Sequence, residues 1–103
     1  MIQNTPGTSE TSRVILALDD RIWSRIVESL RLSPQQVRIV GLILRGFCDK
    51  EIATELRLTV PTVRTHLSRI FQRNGIHDRI GLILHIFALA QARWIEGDRH
   101  SKE

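Results

Sequence analysis

The chain has 103 residues, of which 42% are hydrophobic and 25% charged, with six glycines, three prolines and a single cysteine. That is enough for one globular domain and too little for two, and it excludes collagen-like, low-complexity and disulfide-stapled classes. The formal net charge of +4 is a modest excess, compatible with a polyanionic partner. An unpaired Cys48 fits a reducing compartment. The most apolar stretch, 80–92, is interrupted by His85 and Gln91 and is too short for a membrane span. Residues 1–12 are polar, without a secretory pattern. The expectation is a cytoplasmic protein with no membrane association.

Residues 1–12 lack hydrophobic periodicity and read as a disordered tail. In the segment 13–31, the short apolar run 14–18 leads to Asp19 or Asp20. Either can cap a helix whose Ile22, Trp23, Ile26, Val27 and Leu30 fall on one stripe, with Trp23 as a core anchor. Ser33, Pro34 and Gln36 then spell a helix start: Ser33 at the N-cap, Pro34 in the first turn, and Gln36 reaching back as a capping box. This helix runs to about Arg45, buries Val37, Ile39, Val40, Ile43 and Leu44, and stops at Gly46, which suits a left-handed cap. A short helix follows from Asp49 to Leu56 with Ile52, Ala53 and Leu56 inward, and Leu58 turns the chain.

Thr59 caps the next helix, about 60–74, in which Pro61 is tolerated because the first-turn amides have no partner inside the helix. Val63, Leu67, Ile70 and Phe71 follow the spacing of an amphipathic helix. The opposite face carries Thr62, Thr65, Ser68, Arg69 and Gln72, flanked by Arg64 and Arg73. Asn74 and Gly75 end it, and Asp78 caps the last helix, from Arg79 to about Glu96. Residues 97–103 read as a polar tail.

The charge is unevenly placed. Residues 59–77 hold Arg64, Arg69 and Arg73 and no Asp or Glu, so most of the positive excess lies on one short segment, where a phosphate backbone would bind. Two short helices joined by a tight turn, the second with a basic polar face, meet the requirements for reading the major groove of DNA.

Leu32-Ser33-Pro34, Gly46 before Lys50-Glu51-Ile52-Ala53, Leu56 before the turn, Thr62-Val63-Arg64-Thr65-His66, and Gly75-Ile76 followed by Arg79 stand in the register of one family. On these residues the stretch 32–87 resembles the LuxR-type (GerE-type) helix-turn-helix DNA-binding domain of bacterial transcription regulators. The resemblance implies an all-α fold: a compact tetrahelical helix-turn-helix of the winged-helix-like superfamily over 32–96, plus one N-terminal helix. It also implies sequence-specific binding of double-stranded DNA, with contacts from the positions of Arg64, Thr65 and Ser68, helped by Thr59 and Thr62 at the helix start. Arg69 and Arg73 join them as further base or backbone contacts. Glu51 is on this resemblance a scaffold residue. Several positions depart from the family. Ser68 stands where relatives carry a longer polar side chain. Gln35-Gln36 replaces an Arg-Glu pair, and Cys48 replaces a small hydroxyl residue and leaves the cap to Asp49. Pro61 is unusual, and the leucine usually found near the end of the recognition helix is missing. The promoter-reading region of sigma factors has a similar tetrahelical pattern and stays open as a relative.

Along the last helix Ile80, Ile83, Ile86, Phe87, Ala90 and Trp94 gather on one side as the core face. Gly81, Leu84, Ala88, Ala92 and Ile95 form a second apolar face with small residues at helical spacing. That face has two possible partners, the N-terminal helix or the same helix of a second copy. LuxR-type domains commonly dimerise through this helix, so the resemblance implies a homodimer with these five residues at its seam.

No catalytic constellation is present. His66, His77, His85 and His100 lack metal-ligand spacing, Cys48 has no CxxC partner, and Glu51 and Glu55 are helical neighbours with no pocket implied. The reading is therefore not an enzyme, with no cofactor, no metal and no small-molecule substrate. His66 reads either as a phosphate contact or as part of the helix-helix seam. The competing function is a helix-turn-helix used as a protein-interaction module with a vestigial DNA face. The input signal, and whether the chain acts alone or within a longer regulator, are not written in these residues.

Overall fold

The computed structural model describes the backbone of residues 20–102 and the side chains of residues 20–91. The reading of residues 1–12 as a tail, the apolar run 14–18 and Asp19 lie outside these residues, as do the side chains of Ala92, Trp94 and Ile95. The described residues form five helices and no strand: α1 Asp20–Leu30, α2 Pro34–Leu44, α3 Asp49–Leu56, α4 Val60–Asn74 and α5 Arg79–Lys102. The fold is all-α, as expected.

Local chemistry sets the helix ends. At α2 the Ser33 hydroxyl accepts from the Gln36 amide (3.3 Å), while the Gln36 side-chain oxygen accepts from the Ser33 amide (3.0 Å). This is the anticipated capping box, and it satisfies two amides that the helix itself cannot. Gly46, just past the end of α2, has φ 89°, a conformation in which a Cβ would be strained. Thr59 caps α4 by accepting from the Thr62 amide (3.2 Å), and Gly75 closes α4 in the left-handed region at φ 66°.

The start of α3 corrects the sequence reading. Cys48, not Asp49, is the N-cap, and Asp49 is already the first helical residue. The cap is supplied in reverse by Glu51, whose carboxylate accepts from the Cys48 amide at 2.8 Å.

The core is built where the helices converge. Ile26 and Leu30 of α1, Ile39 and Val40 of α2, Ile52 of α3, Val63 and Ile70 of α4, and Leu82 and Ile86 of α5 are essentially solvent-free. Each such side chain contributes roughly 1.5–3 kcal/mol relative to exposure. α3 and α4 pack closely as the helix-turn-helix pair, with α2 against both, and α1 bridges α4 and α5. Trp23 only packs against the margin of this core, half-buried, so it is not the anchor its size implied.

The last helix departs most from the wheel drawn on the sequence. Its core face is centred on Leu82 and Ile86, whereas Ile80 and Phe87, expected inside, are 67% and 45% exposed. The cause is rotation: a helix apolar all round gives periodicity no preferred inward side, and packing selected the stripe that suits α1 and the core. The helix also continues to Lys102, past the expected end at Glu96 and through the presumed polar tail. A lone glycine such as Gly97 costs about 1 kcal/mol in a helix and does not terminate it.

Candidate nucleic-acid interface

The turn of the helix-turn-helix is made by Arg57, Leu58 and Thr59. Arg57 ends α3 in the left-handed region (φ 59°, ψ 43°), and the Leu58 amide folds back to the Ala53 carbonyl at 2.8 Å. This reversal lays α4 across α3 with Val63, Leu67 and Ile70 buried, which leaves the other side of α4 in solvent. Thr59, Thr62, Arg64, Thr65, Ser68, Arg69 and Arg73 are all exposed, so the structure brings the seven candidate DNA-binding residues onto the outer surface of one helix and its cap.

Their side chains are not equally free. The Thr59 hydroxyl donates to the Thr62 hydroxyl (2.9 Å), and the Thr65 hydroxyl donates to the Pro61 carbonyl of its own helix (2.9 Å). The hydroxyls of the three threonines are thus engaged locally. Arg73 donates to the Arg31 carbonyl, and Asn74 beside it donates to the Leu30 carbonyl (3.1 Å). These two residues close the C-terminus of α1, whose orphan carbonyls need donors. Ser68, Arg69 and Gln72 are exposed, and their side chains have no hydrogen bond or ion pair among the described residues.

Arg64 carries the main surprise. Residues 59–77 contain no acid, but Asp49 from α3 stands beside Arg64, with its carboxylate accepting from Arg64 Nε at 3.3 Å. The other carboxylate oxygen accepts from Arg79 of α5. A window along the chain does not register an acid that folding brings in from another helix, so a segment without acids still has one beside Arg64. Exposed Lys50 and Arg57 add positive charge beside the turn. Arg57 lies between the two helices and carries no helical periodicity; its signal in the sequence is a basic residue two positions before the Thr59 cap.

His66 belongs to the helix-helix seam. Its Nδ1 lies 3.3 Å from Gln36 Nε2, linking α4 to the buried start of α2. Glu51 is titrationally distinctive: the Cys48 amide donating to its carboxylate, with the Cys48 thiol beside it, holds its pKa below the ordinary value.

The proposed dimer residues do not share one environment. Leu84 is 62% exposed, and Ala88 is exposed one turn further on. Gly81 turns towards its own chain: its amide donates to Asp78 Oδ1 at 2.7 Å, and a Cβ there would lie 3.1 Å from that oxygen and 3.3 Å from Ile76. The apolar stripe left open on α5 is Ile80, Leu84, Phe87 and Ala88, while α1 packs against the same helix.

Among the described residues no three His, Cys, Asp or Glu side chains gather as a metal site would, and no helix is long and apolar enough to cross a membrane.

A sequence model of the GerE family, described as bacterial regulatory proteins of the luxR family, matches residues 30–86, just over half of the chain. Among curated relatives, the response regulator protein VraR of Staphylococcus saprophyticus is 28% identical over 76 residues, covering 74% of this chain and 36% of that protein. The response regulator protein VraR of Staphylococcus aureus is 28% identical over 74 residues, covering 72% and 35%. The chain thus spans about a third of the length of these relatives. No solved structure matches it.

Proposed function

The chain belongs to the luxR family of bacterial regulatory proteins, and from that premise we propose that its helix-turn-helix, a DNA-binding domain for transcription regulation, reads duplex sequence by inserting α4 in the major groove. A helix fits that groove and presents side chains to base edges. Arg64, Ser68 and Arg69 then address bases, helped by Thr62 and Thr65, while Thr59 and Arg73 lie where backbone phosphates would pass.

The observation that carries this reading is the solvent-facing side of α4, which offers two arginines with terminal nitrogens uncommitted and is supported from behind by Val63, Leu67 and Ile70. Side chains on a rigid, buried-backed helix are held at fixed spacing, which base reading needs.

The open stripe Ile80, Leu84, Phe87 and Ala88 supports a homodimer through α5, with Ala92 and Ile95 as further candidates. A two-fold pair would set two copies of α4 on successive major-groove faces, about 34 Å apart, over an inverted repeat. Gly81 faces its own turn and is a helix-start residue in this reading.

Charge reversal tests the proposal. Arg64→Glu together with Arg69→Glu should abolish duplex binding while circular dichroism and oligomeric state stay unchanged, because both side chains are exposed. Retained binding would contradict it. Failure of the unaltered chain to bind duplex, with a protein partner captured equally by it and by the variant, would favour the interaction-module reading.

A further inference from the structure

We propose that Asp49 is a positioning residue that aims Arg64 at DNA and so sets sequence selectivity, an inference resting on the DNA-reading function above. Asp49 is the first residue of α3, and its side chain is only 23% exposed. Its two oxygens are divided between two arginines of different helices: Oδ1 accepts from Arg79 Nη2, and Oδ2 accepts from Arg64 Nε. Arg79 is itself fixed, because its Nη1 also donates to the Phe47 carbonyl at 3.3 Å. The carboxylate is therefore braced from the protein side by α5 and presents its remaining oxygen to α4.

What matters for function is which nitrogen of Arg64 is taken. The guanidinium is a rigid planar fork with five donors. Asp49 grips Nε, at the root of the fork, and the Nη1 and Nη2 atoms have no partner among the described residues. That outer edge is the one that pairs in bidentate fashion with guanine O6 and N7 or with a phosphate. The Arg64 side chain is 70% exposed, and a long side chain in that position would otherwise sample many rotamers. Held by Nε, it meets DNA with its free edge already presented.

The same carboxylate places a negative charge beside a surface meant for a polyanion. Arg79 pairs with it, but the carboxylate still leaves the surface one charge less positive, so Asp49 weakens sequence-blind attraction while sharpening the one contact it orients. Removal of a residue with this pair of effects lowers the ratio of selective to sequence-blind affinity without weakening the latter, which loss of a purely structural ion pair does not do.

The test uses the full chain and its Asp49→Ala and Asp49→Asn variants. The probes are the duplex that the unaltered chain retains best from a random pool and an unrelated duplex of equal length. Asp49→Ala should lower the ratio of the two affinities by about threefold to tenfold, a fraction of what a bidentate base contact is worth. Affinity for the unrelated duplex should be equal or higher. Asp49→Asn keeps a single acceptor oxygen for the two arginines and should leave a ratio between those of the unaltered chain and Asp49→Ala, and Asp49→Ala added to Arg64→Ala should change the ratio little further. An unchanged ratio, or a parallel fall of both affinities with the melting temperature, overturns the inference.

In the DNA-free protein, nitrogen-15 relaxation of Arg64 Nε should show an ordered side chain that becomes mobile in Asp49→Ala. A mobile Arg64 in the unaltered chain overturns the positioning role even where selective DNA binding stands. Failure of the unaltered chain to select any duplex, with Arg64 ordered, instead brings down the DNA reading, and the selectivity assigned to Asp49 falls with it.

Discussion

Gln36 and His66, thirty positions apart, meet across the seam of α2 and α4 through a 3.3 Å hydrogen bond between Gln36 Nε2 and His66 Nδ1. Gln36 is 3% exposed and its side-chain oxygen is occupied by the Ser33 amide, which fixes the orientation of the amide group. The nitrogen therefore donates, His66 Nδ1 accepts, and the imidazole proton sits on Nε2. One side chain both caps α2 and locates α4.

Replacing Gln36 should therefore cost more than an ordinary cap. Gln36→Ala removes the bond to the Ser33 amide and leaves His66 Nδ1 without its partner, so a loss of about 1–2 kcal/mol is expected. Urea unfolding checks this, with Ser33→Ala as the comparison that touches the cap alone and should lose less.

The α5 stripe gives a prediction about assembly. Leu84 and Phe87 are 62% and 45% exposed, so Leu84→Glu with Phe87→Glu should leave the monomer's melting temperature nearly unchanged, as surface substitutions usually do. If α5 forms the homodimer seam, light scattering should show the double variant as a monomer and its affinity for an inverted repeat should fall towards that for a half-site. A variant that stays dimeric would place the seam elsewhere.

Glu51 predicts a response to acid. Its pKa is lowered in the fold, chiefly by the Cys48 amide that donates to it, from an ordinary 4.5. A carboxylate with a depressed folded pKa adds stability that is fully present above its unfolded value and is lost as pH falls from there through the folded value. Thermal unfolding should thus show a decline beginning near 4.5 that is shallower in Glu51→Gln. Because the group is solvent-exposed, the difference should be small.

Much of the fold was legible because the signals were local. Ser33-Pro34-Gln35-Gln36, Thr59 and Gly75 announce helix ends through chemistry that involves only their neighbours in sequence. Val63, Leu67 and Ile70 declare the inner side of α4 by spacing, and that alone defines the outward side where the candidate DNA contacts lie. The rotation of α5 was not legible, since Ile80, Leu82, Leu84, Ile86 and Phe87 offer apolar groups in nearly every direction and only tertiary packing chooses among them. Asp49 was misread for a related reason. As a sequence feature it is a cap candidate, whereas its actual partners, Arg64 and Arg79, are 15 and 30 positions away.

Arg57 separates stability from binding. It holds the turn at φ 59°, where a side chain other than glycine is disfavoured, and it is an exposed cation beside Thr59. Arg57→Gly should change stability little or raise it by about 0.5 kcal/mol, since relief of backbone strain is partly offset by greater unfolded-state freedom. If the turn lies near a phosphate, affinity for duplexes of any sequence should drop and the salt dependence should become shallower. Titrations at several salt concentrations, beside a melting curve, measure both.

The most direct test of the central claim is selection of duplexes from a random pool by the full chain at two salt concentrations, followed by sequencing of what is retained. An inverted repeat with half-sites about one helical turn apart, bound more weakly as salt rises, is the expected result. Retention of no preferred sequence, with only weak binding that salt removes, would contradict it.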